Sequence, residues 1–407
     1  MRLAFLLLAL PLSLYSGGFQ VNLQSQKNKG MGHTGTALLS DASVLFFNPG
    51  GMSLLDSGKS FVVGGSFIIP YTLFRDEVPS DYSSQTLSNV GTPFSIYFQS
   101  GIRKVKNLTV GFGVYTPFGS RSQWPDDWKG QFIVREINLK TIFLQPTASW
   151  KLSDEFSVGA GPVFATGKFG LRKGIPVQDS AGFYGEGTLE GGAKGFGFNT
   201  GLFYKGRSGF SAGISFRSPV KVSVNDGTAE FIVPESLKDN FPNTSFSTSI
   251  TLPYTLSTGI AYRPDSNWIF TAELNYVGWS SYDSLRIHFT ETTDKLKNIS
   301  SARMYKNAPI ARIGVSRELK KILVLRAGAY YDFSPVLPGY LTPETPDANK
   351  LGLTFGTTIK LSPKAKLDLS FLFVEGKERT DKNLETQFSG TYKSRAFIPG
   401  LGFEFRF

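Results

Sequence analysis

The chain has 407 residues, of which 41% are hydrophobic and 18% charged, with 44 glycines, 36 phenylalanines, 16 tyrosines and no cysteine. That balance excludes a disordered chain, and the lack of cysteine removes disulfides, cysteine-based zinc sites and thiol nucleophiles together. The formal charge of +11 is dispersed along the chain rather than gathered in a basic patch, so no nucleic-acid partner is expected.

The amino terminus reads as a targeting segment. Arg2 precedes an apolar stretch from Leu3 to Leu14, interrupted by Pro11, and the small residues Ser16, Gly17 and Gly18 follow. The expected signal peptide is 1–16, although Leu14 is not the small residue preferred two positions before such a cleavage. Beyond it, no apolar run approaches the ~18–20 residues of a membrane-spanning helix. Residues 17–58 show small residues, short helical turns and a break at Asn48-Pro49-Gly50-Gly51, with no strand alternation.

From residue 59 onward the chain reads as strands separated by turns. Fourteen stretches carry the pattern: 59–70, 93–103, 107–117, 131–151, 155–171, 188–205, 207–225, 246–263, 267–290, 303–319, 321–333, 349–361, 364–378 and 388–407. In the ninth, Phe270, Leu274 and Tyr276 alternate with Thr271, Glu273 and Asn275; in the last, Leu401, Phe403 and Phe405 alternate with Gly402, Glu404 and Arg406. Strand side chains point to opposite faces in turn, so each stretch has one greasy face and one polar or tiny face. Leu252 is placed on the greasy face with Tyr254, Leu256, Ile260 and Tyr262.

A soluble β-sandwich also alternates, but its strands average about five or six residues, and many of these stretches run to ten or more. Aromatics near strand ends (Tyr71, Trp150, Tyr262, Tyr276, Trp279, Tyr331) suit the girdles of a membrane barrel. Without helices, only a closed barrel satisfies every backbone donor and acceptor in hydrocarbon. The fold expected is therefore all-β: a fourteen-stranded antiparallel transmembrane β-barrel, residues 59–407, in a bacterial outer membrane. Tight connections such as 263–267 and 318–321 are assigned to the periplasmic side. The long ones at 72–92, 118–130, 172–187, 226–245, 291–302 and 334–348 are assigned to the outside. A barrel this wide leaves an aqueous lumen unless something fills it, and residues 17–58 are expected to be that hatch.

The order and spacing of several motifs resemble the FadL/TodX family of outer-membrane transporters for long-chain fatty acids and aromatic hydrocarbons. They begin with Gly18-Phe19-Gln20, Gly30-Met31-Gly32, Asp41-Ala42-Ser43, Asn48-Pro49-Gly50 and Leu54. They continue through Thr116-Pro117-Phe118-Gly119, Leu252-Pro253-Tyr254, Asn275-Tyr276 and Asp332-Phe333-Ser334-Pro335-Val336. Gly50 departs from the alanine most usual there, which suggests a looser hinge. The resemblance implies a hatch containing Phe19, Asn48, Pro49 and Gly50, and a third strand kinked inward at Pro117 and Gly119 to open a lateral hole. It also implies a hydrophobic ligand, a fatty acid or hydrocarbon, that leaves sideways without ATP. Outer-membrane lipids and lipopolysaccharide would be its surroundings, and the unit a monomer.

Phe118, Trp124, Trp128 and Phe132 follow the kink and are candidates for an apolar capture groove, or equally for girdle aromatics. Arg172, Lys173 and Arg303 fall near the family's basic head-group positions; spacing favours Lys173, while strand parity leaves Arg172 open. Glu273, Asp368 and Glu404 share the lumen-facing parity with Arg312, Arg326 and Arg406, which suits a structural charge lattice better than a metal site. No metal, cofactor or enzymatic activity is expected: neither His33 nor His288 lies in a nucleophile-elbow pattern. The alternatives are a general diffusion porin, or a surface adhesin or antigen.

Overall fold

The computed structural model describes residues 18–55 and 58–407, so the expected targeting segment 1–16 lies outside the described residues. Fourteen antiparallel wall strands follow one another around a closed ring; six lie wholly inside the stretches expected from alternation, and the other eight overlap those stretches and run past them at one end. The first combines Lys59–Ser66 and Ile69–Arg75, the second is Phe94–Gly101, and the third combines Leu108–Tyr115 and Gly119–Gln123. The fourth to sixth are Glu136–Lys151, Phe156–Gln178 and Tyr184–Lys205. The seventh joins Phe210–Arg217 to Val220–Ile232, and the eighth joins Thr244–Leu252 to Thr255–Tyr262. The ninth pairs Trp268–Val277 with Ser284–Phe289, and the tenth Ile299–Ala302 with Ala308–Leu319. The last four are Leu323–Asp332, Lys350–Lys360, Ala365–Gly376 with Arg379–Lys382, and Ser389–Arg406. Pairing of the first strand with the fourteenth, from Ser60 opposite Arg406 to Ser66 opposite Gly400, closes the ring. No sheet edge is left open there.

Outward positions carry the greasy parity. Phe112, Phe164, Phe196, Ile260, Phe270, Leu274, Ile313, Phe355 and Leu401 are exposed on the outer surface, where hydrocarbon is their solvent. Inward positions in the half nearer the tight turns are polar, among them Gln145, Ser149, Ser157, Asn199, Glu273, Arg312, Asp368 and Glu404, all buried. Toward the long loops the inward face becomes apolar, with Phe169, Leu171, Val222, Phe246, Ile250 and Ile287 buried.

Interruptions of the wall mark this change. Ser218-Pro219, Pro253-Tyr254, 278–283 and 303–307 break four neighbouring strands. Proline cannot donate to a ladder. At Pro253 the phase of the eighth strand also shifts, so Leu252 turns inward and is fully buried while Leu256 and Ile260 face out. That corrects its assignment to the greasy outer face. The connection expected over 172–187 is shorter, because the fifth and sixth strands stay paired up to Gln178 opposite Tyr184.

Residues 18–55 lie inside the ring and bond to wall strands on all sides. Their regular pieces are short: helices Gln26–Lys29 and Val44–Phe47 and a 3-10 turn, Pro49–Leu54. Gly35 and Thr36 each donate a backbone N–H to Glu273 at 2.8 Å, Gly32 donates to Thr354 at 2.8 Å, and Gln145 donates to the Leu45 carbonyl at 3.1 Å. A segment with so little regular structure leaves many backbone groups to satisfy. The polar half of the lumen supplies the partners.

Candidate functional site

The third strand is the irregular one. Leu108–Tyr115 pairs with strands on both sides, the last rung to the second strand being Ser95 opposite Tyr115. After Thr116, Pro117 and Phe118 the strand resumes at Gly119, and Gly119–Gln123 pairs with the fourth strand alone, from Lys140 to Glu136. Among the described residues, the bonds toward the second-strand side of this stretch are Leu87 N–H to the Gln123 carbonyl, 2.8 Å, and the Asn89 side-chain amide to Gln123, 2.6 Å. The ladder is thus open between Tyr115 and Gln123.

The groups freed by that break are taken by the amino-terminal segment. Gln20 forms an antiparallel bridge with Phe118; Val21 N–H donates to the Pro117 carbonyl at 2.8 Å, and Gly119 N–H to the Phe19 carbonyl at 3.1 Å. The Gln24 amide donates to the Thr116 carbonyl at 2.8 Å. Behind the gap lies a cavity of about 270 Å3 with a mixed lining: apolar Phe19, Val21, Ile68, Leu372 and Ile398 beside charged residues that include Arg121, Glu344, Lys350 and Arg395. Gly119 does not have a left-handed backbone. Its importance is spatial: a Cβ there would lie 3.2 Å from the Leu139 carbonyl and 3.8 Å from Val21.

The four aromatics after the kink separate. Phe118 is buried against Phe143, Trp279 and Phe19 at ring distances of 6.1, 6.4 and 6.3 Å. Trp124 and Trp128 stack at 4.3 Å with 12° between planes, fully buried under Phe74, Phe388 and Tyr392. Their indole N–H groups donate to the Pro343 and Val134 carbonyls at 3.1 and 2.7 Å. Phe132 stands apart, exposed, edge-on to Tyr184 at 4.9 Å. Three of the four are therefore buried, Phe118 beside the kink and the Trp124–Trp128 stack in a separate aromatic cluster, and only Phe132 is exposed.

The basic candidates also differ in their partners. Arg172 meets Asp126 and Glu186 at 2.8 and 2.9 Å. Arg303, 3% exposed, is paired with Glu344 at 2.6 Å and donates to the Tyr282 hydroxyl at 3.3 Å. Lys173 is half-buried and has no carboxylate within ion-pair distance among the described residues. Two cations are thus already neutralised, and Lys173 is the least committed of the three.

The Asn48-Pro49-Gly50 turn is held by hydrogen bonds on both sides. The Asn48 side chain accepts from Gly50 N–H at 3.1 Å and donates to the Thr36 and Leu202 carbonyls at 2.9 and 3.0 Å. The Gly50 carbonyl accepts from Ser149 and Ser157 at 2.9 and 2.6 Å. The wall must come this close: a Cβ on Gly201 would lie 2.1 Å from Asn48 Oδ1, and one on Gly50 2.8 Å from the Gly201 carbonyl.

The lumen charge lattice exists, but its central cation is one that parity along the wall could not reveal. Lys27, fully surrounded, contacts Glu404, lies 2.9 Å from Asp41 and 3.9 Å from Asp368. These carboxylates outweigh the burial that disfavours its charge and raise its pKa, while the ammonium draws Asp41 down to about 2 against the cost of burial. Arg326 instead donates to Thr358 at 2.6 Å, and Arg312 donates to Asn275 at 2.6 Å. Among the described residues no group of three or more histidines, aspartates or glutamates is arranged to hold a metal.

Comparison with known proteins places this architecture. Residues 8–407 match the family model for outer membrane protein transport proteins, OMPP1/FadL/TodX. Outer membrane protein P1 of Haemophilus influenzae is 23% identical over 433 residues, covering 93% of this chain and 92% of that protein. The long-chain fatty acid transport protein of Escherichia coli K12 is 22% identical over 433 residues, with 97% and 95% covered. A Pseudomonas aeruginosa FadL homologue superposes with a TM-score of 0.82 at 17% identity, over 96% of this chain and 100% of that one. For the toluene transporter TodX of P. putida the values are 0.71, 16%, 97% and 99%.

Proposed function

We propose that this chain, which belongs to the OMPP1/FadL/TodX family of outer-membrane transport proteins, passes hydrophobic small molecules through a side opening in its wall at the third strand. As a member of that family it is a transport protein and not an enzyme. The observation that carries the lateral route is the ladder left open between Tyr115 and Gln123, backed by a cavity of about 270 Å3. The substrate class is long-chain fatty acids or hydrocarbons. An apolar tail that moves from the lumen into the bilayer is never returned to water, which avoids a cost of roughly 0.8 kcal/mol per CH2. Passive diffusion then suffices. Residues 18–55 act as the hatch that closes the bore, which disfavours a general diffusion porin. Lys173 is the proposed contact for a carboxylate head, since Arg172 and Arg303 are held by carboxylates.

The test is Gly119→Val. Its methyls would extend toward Val21 and into the mouth of the cavity. Gly192→Val is the control, because a Cβ there meets nothing within 4 Å and faces outward on the sixth strand. Uptake of radiolabelled oleate or toluene at matched surface expression should drop in Gly119→Val and stay at the wild-type level in the control. Equal uptake in all three would mean that the substrate leaves by another route.

A further inference from the structure

Another, much smaller cavity of about 30 Å3 is bounded by Gln20, His33, Arg217, Thr255, Glu273 and Arg312 among others. That volume holds a particle of water or halide size and no hydrocarbon tail, although Gln20 and Asn22 border both it and the larger cavity.

Its charge is unbalanced. Arg217 and Arg312 are 8% and 3% exposed, and among the described residues neither is ion-paired with a carboxylate. Arg217 donates one Nη2–H to the Phe46 carbonyl at 2.8 Å and lies 4.0 Å over the Phe46 ring, while its Nε–H finds no acceptor. Arg312 uses Nε on Asn275 and Nη1 on the Gly32 carbonyl, 2.6 and 3.2 Å. Glu273 is the single carboxylate on the cavity, and it is already engaged by Gly35 N–H, Thr36 N–H and the Asn275 amide at 2.8, 2.8 and 2.9 Å. Burial, with Arg312 and Arg217 adding to it, pushes the His33 pKa well below its ordinary value, so this imidazole adds no charge. The lining thus carries two guanidiniums against one carboxylate, with Asp332 acting on Arg312 from outside it, and a buried ion without full compensation is costly. The Thr255 hydroxyl, Gln20 Oε1 and His33 Nε2, also buried and without partners among the described residues, border the same space.

We propose that this chamber binds one small monovalent anion of halide size between Arg217 and Arg312, and that the anion clamps residues 18–55 to the wall. Arg217 Nε–H and the Thr255 hydroxyl are the free donors, and the guanidiniums supply the charge. The clamp follows from ownership of the groups. His33, Phe46 and Gly32 belong to the inner segment, while Arg217, Thr255 and Arg312 belong to the seventh, eighth and tenth strands.

The probe is bromide with the purified full-length protein in detergent. Crystals grown in sodium bromide should give an anomalous peak in this chamber, absent in Arg217→Met and weaker in Thr255→Val. Anomalous density only elsewhere, or none in the wild type, overturns the site, and that measurement needs no variant to fold. In parallel, the thermal unfolding midpoint should rise with the logarithm of bromide when bromide replaces gluconate at constant ionic strength and pH. A midpoint that does not move overturns the clamp.

Discussion

Phe19 is the side chain that holds the amino-terminal segment against the kink, and its removal tests whether that segment covers the side opening. Its ring is 6% exposed and lies 4.9, 5.5 and 6.3 Å from the rings of Trp279, Tyr282 and Phe118. Burying a phenylalanine this fully is worth about 3–5 kcal/mol against alanine. The lower end applies here, because Gln20 and Val21 beside it are only half-buried and the site can relax. At 1.4 kcal/mol per decade, about 3 kcal/mol lowers the docked-to-free ratio on the order of 100-fold. The chain has no cysteine, so a single cysteine placed at Gln20 reports on release by its rate of maleimide labelling. Phe19→Ala should raise that rate on the order of 100-fold, and uptake of labelled oleate or toluene should change with it. Faster labelling with unaltered uptake would refute the role of this segment as the cover. Unaltered labelling would refute Phe19 as its anchor.

Two further predictions concern how the inner segment is held. Lys27→Met leaves Asp41, Glu404 and Asp368 around a neutral side chain; breaking a buried ionic cluster on one side costs about 3–5 kcal/mol. Lys366 at 3.2 Å and Arg406 still contact Glu404, so the lower end is expected. It is read as faster proteolysis within 18–55, and Glu404→Gln in the same chain should restore part of the protection. Lys29 is the opposite case, fully buried and bonded among the described residues to the Ser66 hydroxyl and the Ile398 carbonyl at 2.9 and 3.3 Å. Burial lowers its pKa from 10.5 to about 7. Between those values the unfolded chain binds a proton that the folded one has released, so docking of the segment strengthens as pH rises from about 7 toward 10.5. Lys29→Met should flatten that slope in proteolysis measured across the window; an unchanged slope assigns it to another group.

Strand number and the closed barrel were legible in the sequence because the alternation behind them is a local signal, whereas the break in the third strand was an implication of the family resemblance to which Pro117 added a local reason. A wall between hydrocarbon and a filled lumen imposes a period of two on every strand, and Pro117 interrupts a ladder wherever it stands. The long inner segment was legible for the converse reason, since it lacks that period. What tertiary structure alone decided are meetings between residues far apart in the chain. Lys27 finds Glu404 across 377 positions, and Trp124 closes onto Pro343 across 219. Arg303 is neutralised by Glu344, which the sequence leaves in a loop after the next strand. Parity says which residues enter the lumen, but not which of them share a height on the wall or which carbonyl of the inner segment stops there. Those depend on stagger between strands and on breaks such as Pro253, which turned Leu252 inward. Burial then determines the chemistry, because the same guanidinium is a solvated charge in a loop and an unbalanced one beside His33.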